Sequence, residues 1–290
     1  MKNRYFFTRF IPLIKYSVGA SLLSEVAQNI RANYYLYNEK NKNKFIGSYE
    51  SIRQDKIKSD ALKAFSDIGF KGSVDVIFND AKDFEAECVT YRKGLNRAAL
   101  VIVGLDDDTL KYYNSSSMYA IMGHEAAHAY RNHSTIVGFT LGALCSVLLE
   151  TQGKLSSFSM LGRFRLTSPV LTLVKVITIY LASRAISRQV EMDADKFSCR
   201  KLNTTHVLLL EYMRHTTSVS KATDKKNVSL INQSREVFQA LNRTHPSCET
   251  RIRHLEQLRE DMHMESMGFF RKNKDKSVSE NDFYNNYFVV

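Results

Sequence analysis

The stretch Gly123-His124-Glu125-Ala126-Ala127-His128 sets two histidines four positions apart. On an α-helix, positions i and i+4 face the same way, so both imidazoles can converge on one ion. Zinc accepts such nitrogen ligands. Glu125 follows the first histidine, where its carboxylate can take a proton from a metal-activated water molecule and pass it to a leaving amine. The pattern indicates a hydrolytic zinc site; the alternative is two histidines one turn apart without a metal.

A catalytic zinc site needs a third protein ligand and an open position for water. The stretch Ser187-Arg188-Gln189-Val190-Glu191-Met192-Asp193-Ala194-Asp195 offers candidates downstream. Glu191 and Asp195 are four apart and share a helix face, so one can bind the metal while the other orients a ligand imidazole. The alternative is a solvated acidic face. Apolar neighbours such as Phe197 indicate instead a partly buried helix, in which unpaired carboxylates are costly.

A third cluster, Arg243-Thr244-His245-Pro246-Ser247, precedes a predicted helix that contains Arg251 and His254. On spacing alone, His245 is typical of a loop histidine before a helix start that is marked by proline.

Taken together, the three blocks resemble the membrane-associated zinc metallopeptidase family of the CAAX-prenyl endopeptidase, the bacterial heat-shock peptidase HtpX and the mitochondrial inner-membrane peptidase that processes a dynamin-like GTPase. The similarity covers roughly residues 73 to 256, and the blocks occur in the same order. The resemblance implies one Zn²⁺ per chain, held by His124, His128 and Glu191. It implies Glu125 as general base, Asp195 as the partner of a ligand histidine, and His245 as an oxyanion donor or as an occupant of the open metal position.

One departure from the family pattern lies ahead of the active-site helix. Relatives commonly carry an Asn-Ala pair there, whereas this chain reads Phe84-Glu85-Ala86-Glu87-Cys88-Val89. The N-terminal apolar part is also shorter than in multi-pass relatives. These differences concern substrate contacts and membrane spans and leave the predicted metal site untouched.

Composition limits the class of protein and its partners. The chain has 290 residues, 44% of them hydrophobic, which suffices for one large or two small domains. A formal charge of +11 favours anionic surfaces. The chain shows no zinc knuckle, Gly-rich phosphate loop or basic segment interleaved with aromatic residues, so we expect membrane contact and no nucleic acid. The four cysteines form no C-x-x-C pair, which argues against a cysteine-based zinc site.

Three segments bear on membrane contact. Residues 1–24 lack acidic residues and mix basic with apolar side chains, as in a targeting sequence or surface anchor; a plain helix packed on the body is the alternative. Pro12 is expected to interrupt any helix there. The apolar runs Ser134 to Leu149 and Pro169 to Ser183 are shorter than the roughly 20 residues of a spanning helix. They fit either a membrane-inserted hairpin or two buried core helices.

The remaining pattern predicts the fold class, which is α+β, mostly helical and zincin-like, with a small sheet and an apolar helical hairpin between the metal-ligand motifs. Strands are expected at Ser73–Phe78, Glu87–Tyr91 and Ala98–Val103. Ser115 to Ser117 offer N-caps for a helix that starts near Met118. A polar connector over 31–60 is expected to run into a helix at Ile52–Phe65, and further helices are expected at Ser187–Leu202, Val207–Thr217, Val228–Leu241 and Glu249–Met264.

The predicted domains are an N-terminal segment and connector (1–50), a zinc metallopeptidase domain (51–265, with the apolar hairpin at 134–183) and a polar tail (266–290). The predicted function is a zinc-dependent endopeptidase that cleaves proteins or peptides, with the substrate strand along the small sheet. The resemblance suggests quality control or processing of membrane or envelope proteins at a bacterial or mitochondrial inner membrane. Two alternatives are a catalytically silent zinc-binding chaperone or scaffold derived from such a peptidase, and a membrane-surface interaction protein whose motif is fortuitous.

Overall fold

The structure, a computed structural model, describes residues 2–41, 48–80, 85–105, 114–155, 168–223 and 245–273. Within these ranges the chain is mostly helical and has one small sheet, as the predicted fold class requires. The elements are α1 (Lys2–Asn41), α2 (Ser48–Ile68), β1 (Ser73–Asp80), β2 (Glu85–Lys93), β3 (Asn96–Leu105), α3 (Ser115–Arg131), α4 (His133–Leu155), α5 (Ser168–Leu202), α6 (Thr205–Thr223) and α7 (Cys248–Asn273).

The three strands form a sheet of order β1-β3-β2, which confirms the three strands expected from the sequence. β3 lies in the centre, parallel to β1 and antiparallel to β2. A two-residue turn, Gly94-Leu95, joins β2 to β3, and Gly94 adopts a φ of 67° that favours glycine. Among the described strands, β2 therefore has one edge that is not paired within the sheet.

The side chains of β3 separate two apolar cores, because successive residues of a strand point to opposite faces. Ala99, Val101 and Val103 pack against α2 and α3 on one face. Leu100 and Ile102 pack on the other face, where α1 supplies a buried alanine and two partly buried apolar side chains. The helix with the two histidines is thus fixed against the sheet.

Small residues bring α1 and α4 into close contact. A Cβ atom placed on Gly142 would lie 2.5 Å from the carbonyl oxygen of Tyr16 and 2.7 Å from the Cβ of Ala20. A Cβ on Gly138, one turn earlier, would lie 2.9 Å from the Cβ of Ser24. Only glycine permits this backbone approach, which fixes the position of α4 against α1.

Two expectations for the N-terminal region are wrong: that Pro12 interrupts a helix there, and that the connector begins at residue 31. α1 is continuous from Lys2 to Asn41 and includes Pro12, which removes one helical hydrogen bond without ending the helix. The first part of the predicted polar connector, residues 31–41, is helical as well. Its apolar residues Ala32, Tyr35 and Leu36 have helical spacing and pack on the sheet, so tertiary contacts override the polar composition.

Other predicted boundaries shift. α3 begins at Ser115 instead of near Met118, because Asn114 serves as the N-cap and accepts the N–H of Ser116 at 2.9 Å. The helix expected from Ser187 to Leu202 is the second half of the longer α5. α7 continues to Asn273, into the predicted tail. The helix expected at 228–241 lies outside the described residues.

The two apolar runs lie on α4 and on the first half of α5, and residues 156–167 between them lie outside the described ranges. Several of their large side chains are exposed, among them Phe139, Leu173 and Ile177. These runs therefore do not form a pair of fully buried core helices. Among the helices that the structure describes, none combines the length and apolar character that crossing a bilayer requires.

Candidate metal centre

His124 and His128 lie one turn apart on α3, as the motif predicts. Their Nε2 atoms are 3.1 Å apart, and their side chains are only 7% and 17% exposed. Burial and the neighbouring His124 lower the pKa of His128 to about 3, which keeps its ring neutral. Burial also opposes the charged form of His124, but the Asp195 carboxylate outweighs this effect and raises its pKa to about 10. A metal bound at His124 therefore has to displace a proton.

Glu191 of α5 completes a triangle of donor atoms. Its Oε2 lies 3.3 Å from Nε2 of His124, and its Oε1 lies 3.4 Å from Nε2 of His128. Tetrahedral bonds of about 2.0 to 2.1 Å separate neighbouring donors by about 3.3 Å, so the three groups fit one zinc-sized ion. Among the described residues, this is the cluster of histidine, cysteine or carboxylate side chains whose geometry suits a metal.

Asp195 holds His124 from behind. Its Oδ1 accepts a hydrogen bond from Nδ1 of His124 at 2.8 Å, and its side chain is fully buried. The Arg251 guanidinium donates two hydrogen bonds to it, from Nη2 at 2.6 Å and from Nε at 2.8 Å, and Tyr212 donates a third at 3.0 Å. Burial alone would raise the pKa of Asp195, but His124 and Arg251 lower it to about 2. The ionised carboxylate leaves Nε2 of His124 directed at the donor triangle.

Glu125 lies between the metal-facing side of α3 and the sheet. The backbone N–H of Cys88 in β2 donates a hydrogen bond to its carboxylate. Burial, reinforced by the nearby Glu191, raises the pKa of Glu125 to about 7. The carboxylate therefore lies beside the donor triangle, oriented by the sheet, without being part of it.

A cleft of about 290 Å³ opens beside the donor triangle, between β2, α1, the junction of α3 and α4, and α5. Cys88 and Thr90 line it from the strand, and His128 and Glu191 line it from the helices. A larger cavity of about 780 Å³ lies between the end of α2 and the β2–β3 turn, and none of its lining residues belongs to the donor triangle.

His245 approaches the donor triangle from the segment before α7. Its Nδ1 lies 2.9 Å from Oε2 of Glu191, and its side chain is 66% exposed. This hydrogen bond raises the pKa of His245 above its usual value. The structure thus brings all six predicted site residues into one neighbourhood: His124, Glu125, His128, Glu191, Asp195 and His245.

Three side chains that contact the predicted site residues were not themselves predicted from the sequence. Tyr212 and Arg251 contact Asp195, and His133 contacts His128. Tyr212 carries no local signal, since its partner is 17 residues away on another helix. Arg251 lies in the helix predicted to follow the third cluster, four residues after Ser247, and this nearness is the signal that could have identified it.

A histidine pair on one helix, a glutamate from a second helix and a carboxylate held at the edge of the sheet form a candidate metallopeptidase site. Comparison with known families then supplies the particular assignment: the model described as Peptidase family M48 matches residues 54–259. This match covers well over half of the sequence, so the chain belongs to Peptidase family M48 and is a metal-dependent peptidase by family. No curated protein and no solved structure matches it.

The donor triangle predicts that Glu191 is required for metal retention. After zinc loading and dialysis, Glu191→Ala should keep less than about a tenth of the zinc that the unmodified chain keeps, because two imidazoles alone leave the site incomplete. Elemental analysis of the purified proteins measures this ratio. Glu249→Ala, at an exposed carboxylate on α7, is the matched control and should retain full metal. Full retention by Glu191→Ala, with unchanged circular dichroism, would assign the third ligand elsewhere.

Proposed function

We propose that the chain is a zinc-dependent endopeptidase in which Glu125 is the general base. The observation that carries this proposal is the convergence of His124, His128 and Glu191 next to the Glu125 carboxylate: the two Nε2 atoms are 3.1 Å apart, and each lies within 3.4 Å of one carboxylate oxygen of Glu191. These three residues would hold the ion. Bound zinc would act as a Lewis acid on the scissile carbonyl and lower the pKa of water to about 7.

Glu125 would move the protons of the reaction. Its carboxylate accepts a proton from the attacking water and returns it to the leaving amine, so that no covalent enzyme intermediate is needed. The hydrogen bond from the Cys88 N–H holds the carboxylate on the side of α3 that faces β2, where the substrate is proposed to lie. His245, which already contacts Glu191, is the proposed donor to the oxyanion of the tetrahedral intermediate.

The proposed substrate lies along β2 as an added strand. Two contacts indicate which residues of β2 direct their backbone N–H groups away from β3. The N–H of Cys88 points at Glu125, and the N–H of Arg92 donates to Asn29 of α1 at 2.8 Å. Thr90 lies between them with the same parity, so its N–H and C=O are also directed away from β3. An extended peptide paired at Thr90 would have its next residues beside Glu125 and the metal.

The mechanism predicts the effect of Glu125→Gln. The amide cannot accept the proton of water, so kcat should fall by about 10²- to 10⁴-fold, while zinc content stays unchanged because residue 125 is not a ligand. Cleavage of casein and metal analysis on the same preparations measure both quantities, with Glu249→Gln as the control. Wild-type turnover by Glu125→Gln would refute the mechanism. Zinc-loaded wild type that cleaves no unfolded substrate would instead support the silent chaperone or scaffold.

The strand proposal predicts a difference between two substitutions of Thr90. Thr90→Val removes the hydroxyl, which lies 3.2 Å from the Ser134 hydroxyl, but keeps the backbone N–H. Thr90→Pro also removes that N–H, at an edge position where proline is tolerated. Loss of the proposed hydrogen bond from the N–H of residue 90 to the substrate should lower kcat/KM about 2- to 10-fold relative to Thr90→Val, through KM. Equal kinetics for the two variants, at equal zinc content, would place the substrate elsewhere.

The proposal includes contact with a membrane surface, where the substrates would be membrane or envelope proteins handled for quality control or processing. Its support is an apolar surface spread over α1, α4 and α5, which pack side by side. Exposed members of this surface include Leu22, Leu23, Val26, Ile136, Phe139, Leu173, Val174, Val176 and Ile177. Together with the charge of +11 and the family resemblance, this surface suits an anionic bilayer, as at a bacterial or mitochondrial inner membrane.

Vesicle flotation tests this surface. The double variant Leu173→Glu, Ile177→Glu places two carboxylates one turn apart on exposed positions of α5. Binding of the full chain to vesicles that contain anionic lipid should fall at least about tenfold, since each such side chain contributes about 1.5 to 3 kcal/mol on burial. The matched control is Met264→Glu, Met267→Glu on α7, also at exposed apolar positions. Equal flotation of the two double variants would exclude α5 from the contact.

A further inference from the structure

His133 is a buried histidine that the proposed reaction does not use. It is the first residue of α4, and only 4% of its surface is exposed. Its two ring nitrogens both have partners. Nδ1 lies 2.9 Å from Nδ1 of His128, and Nε2 lies 3.0 Å from Oδ2 of Asp193 on α5.

The break between α3 and α4 makes the contact of His133 with His128 possible. In an unbroken helix, residues five apart project about 140° from each other, so their rings would not meet. Asn132 adopts the left-handed conformation, with φ 57° and ψ 44°, and its N–H closes α3 by bonding to carbonyl oxygens of the last turn. The chain then turns, and the two imidazoles meet edge to face with centroids 4.9 Å apart.

Asp193 is held as a hydrogen-bond acceptor. Arg131 donates to it twice, from Nε at 3.0 Å and from Nη2 at 3.2 Å. Residues two apart on a helix project about 200° from each other, so Asp193 faces away from the metal side that Glu191 occupies. Asp193 therefore reaches the metal centre through an intermediate group, and His133 is that group.

If His128 binds a metal, the two contacts from Asp193 to His133 and from His133 to His128 have one consistent set of hydrogen-bond directions. The carboxylate of Asp193 accepts, so Nε2 of His133 carries the proton. Nδ1 of His133 then presents a lone pair, which accepts a hydrogen bond from Nδ1–H of His128. The free lone pair of His128 is consequently on Nε2, the atom that faces His124 and Glu191.

We propose that His133 and Asp193 form a relay that fixes the tautomer and ring orientation of His128, and that both are positioning residues of the metal centre. This inference rests on the proposed function, since it takes His128 to be a metal ligand. It gives the two ligand histidines equivalent support from one helix: Asp195 holds His124 directly, and Asp193 holds His128 through His133.

The test uses the purified full chain and measures zinc affinity by competition with a chelator. His133→Leu fills similar space but accepts no hydrogen bond, and it should weaken zinc binding about 10- to 100-fold. His133→Asn can present an amide oxygen near the former Nδ1 and should recover most of the affinity. Asp193→Asn, at a residue that is one-third exposed, leaves one acceptor oxygen, for which Arg131 and His133 then compete, and should weaken binding in the same direction. His206→Leu, at an exposed histidine of α6, is the control and should bind as the unmodified chain does.

A second readout separates positioning from general stability. The visible absorption of the cobalt-substituted protein reports ligand geometry, and we expect it to change in His133→Leu and to be restored in His133→Asn. Thermal unfolding of the metal-free proteins identifies any variant that does not fold. If His133→Leu does not fold, the comparison rests on Asp193→Asn and His133→Asn.

The outcomes distinguish the relay from the proposed function. Unchanged zinc affinity and cobalt spectra in folded His133→Leu or Asp193→Asn, in a chain that cleaves peptides, would overturn the relay and leave the peptidase proposal intact. Weakened metal binding in these variants, in a chain that binds zinc but cleaves nothing, would support the relay and overturn the peptidase proposal. A wild-type chain that binds no zinc would overturn both.

Discussion

The arrangement of the helices depends on the hydrogen bonds and ion pairs of one buried carboxylate, that of Asp195. It belongs to α5 and meets His124 of α3, Tyr212 of α6 and Arg251 of α7, so four helices converge on one group. A charge without solvent contact is stable only when it is paired and hydrogen-bonded, and removing one partner of such a pair costs about 3 to 5 kcal/mol. Arg251 also lies over the ring of Tyr212, 4.2 Å from its centroid. The same network that satisfies Asp195 therefore sets the distance between α3 and α5, and with it the position of Glu191 relative to the two imidazoles.

The two faces of α3 explain how a polar centre can lie so close to an apolar core. Met118, Met122, Ala126 and Ala129 recur at helical spacing and are buried against β3 and α2. His124 and His128 project from the opposite side toward α5. Glu125 lies between these two faces, which brings its carboxylate to the edge of the sheet and to the N–H of Cys88. The position of the proposed base thus follows from the phase of the apolar pattern. The residue before it, His124, faces the metal side, and the residue after it, Ala126, faces the core.

The local part of this arrangement was predictable from the sequence, and the long-range part was not. The convergence of His124 and His128 needs only helical periodicity, and the three strands were evident from their β-branched residues. Glu191 and Asp195 share a helix face, so spacing could not decide which one meets the metal side; only the packing of α3 on α5 shows that Glu191 reaches Nε2 and Asp195 reaches Nδ1. The contact between His133 and His128 depends on a left-handed residue at 132, for which a single asparagine is a weak signal. Likewise, the helical course of residues 31–41 depends on contacts with a sheet that follows later in the chain.

Exposure separates the groups of the site by the task proposed for each. His124, His128 and Glu191 lie on helices and are at most 17% exposed, so their orientations are fixed by packing and by partners behind them. His245 precedes its helix, is 66% exposed and has Glu191 as its contact in the centre. A ligand has to keep its geometry throughout a reaction, whereas a donor to the oxyanion is needed only when charge develops on the substrate. A side chain that is mostly exposed can exchange its hydrogen-bond partner for an oxyanion at little cost. The burial of the proposed ligands and the exposure of His245 thus match the different roles proposed for them.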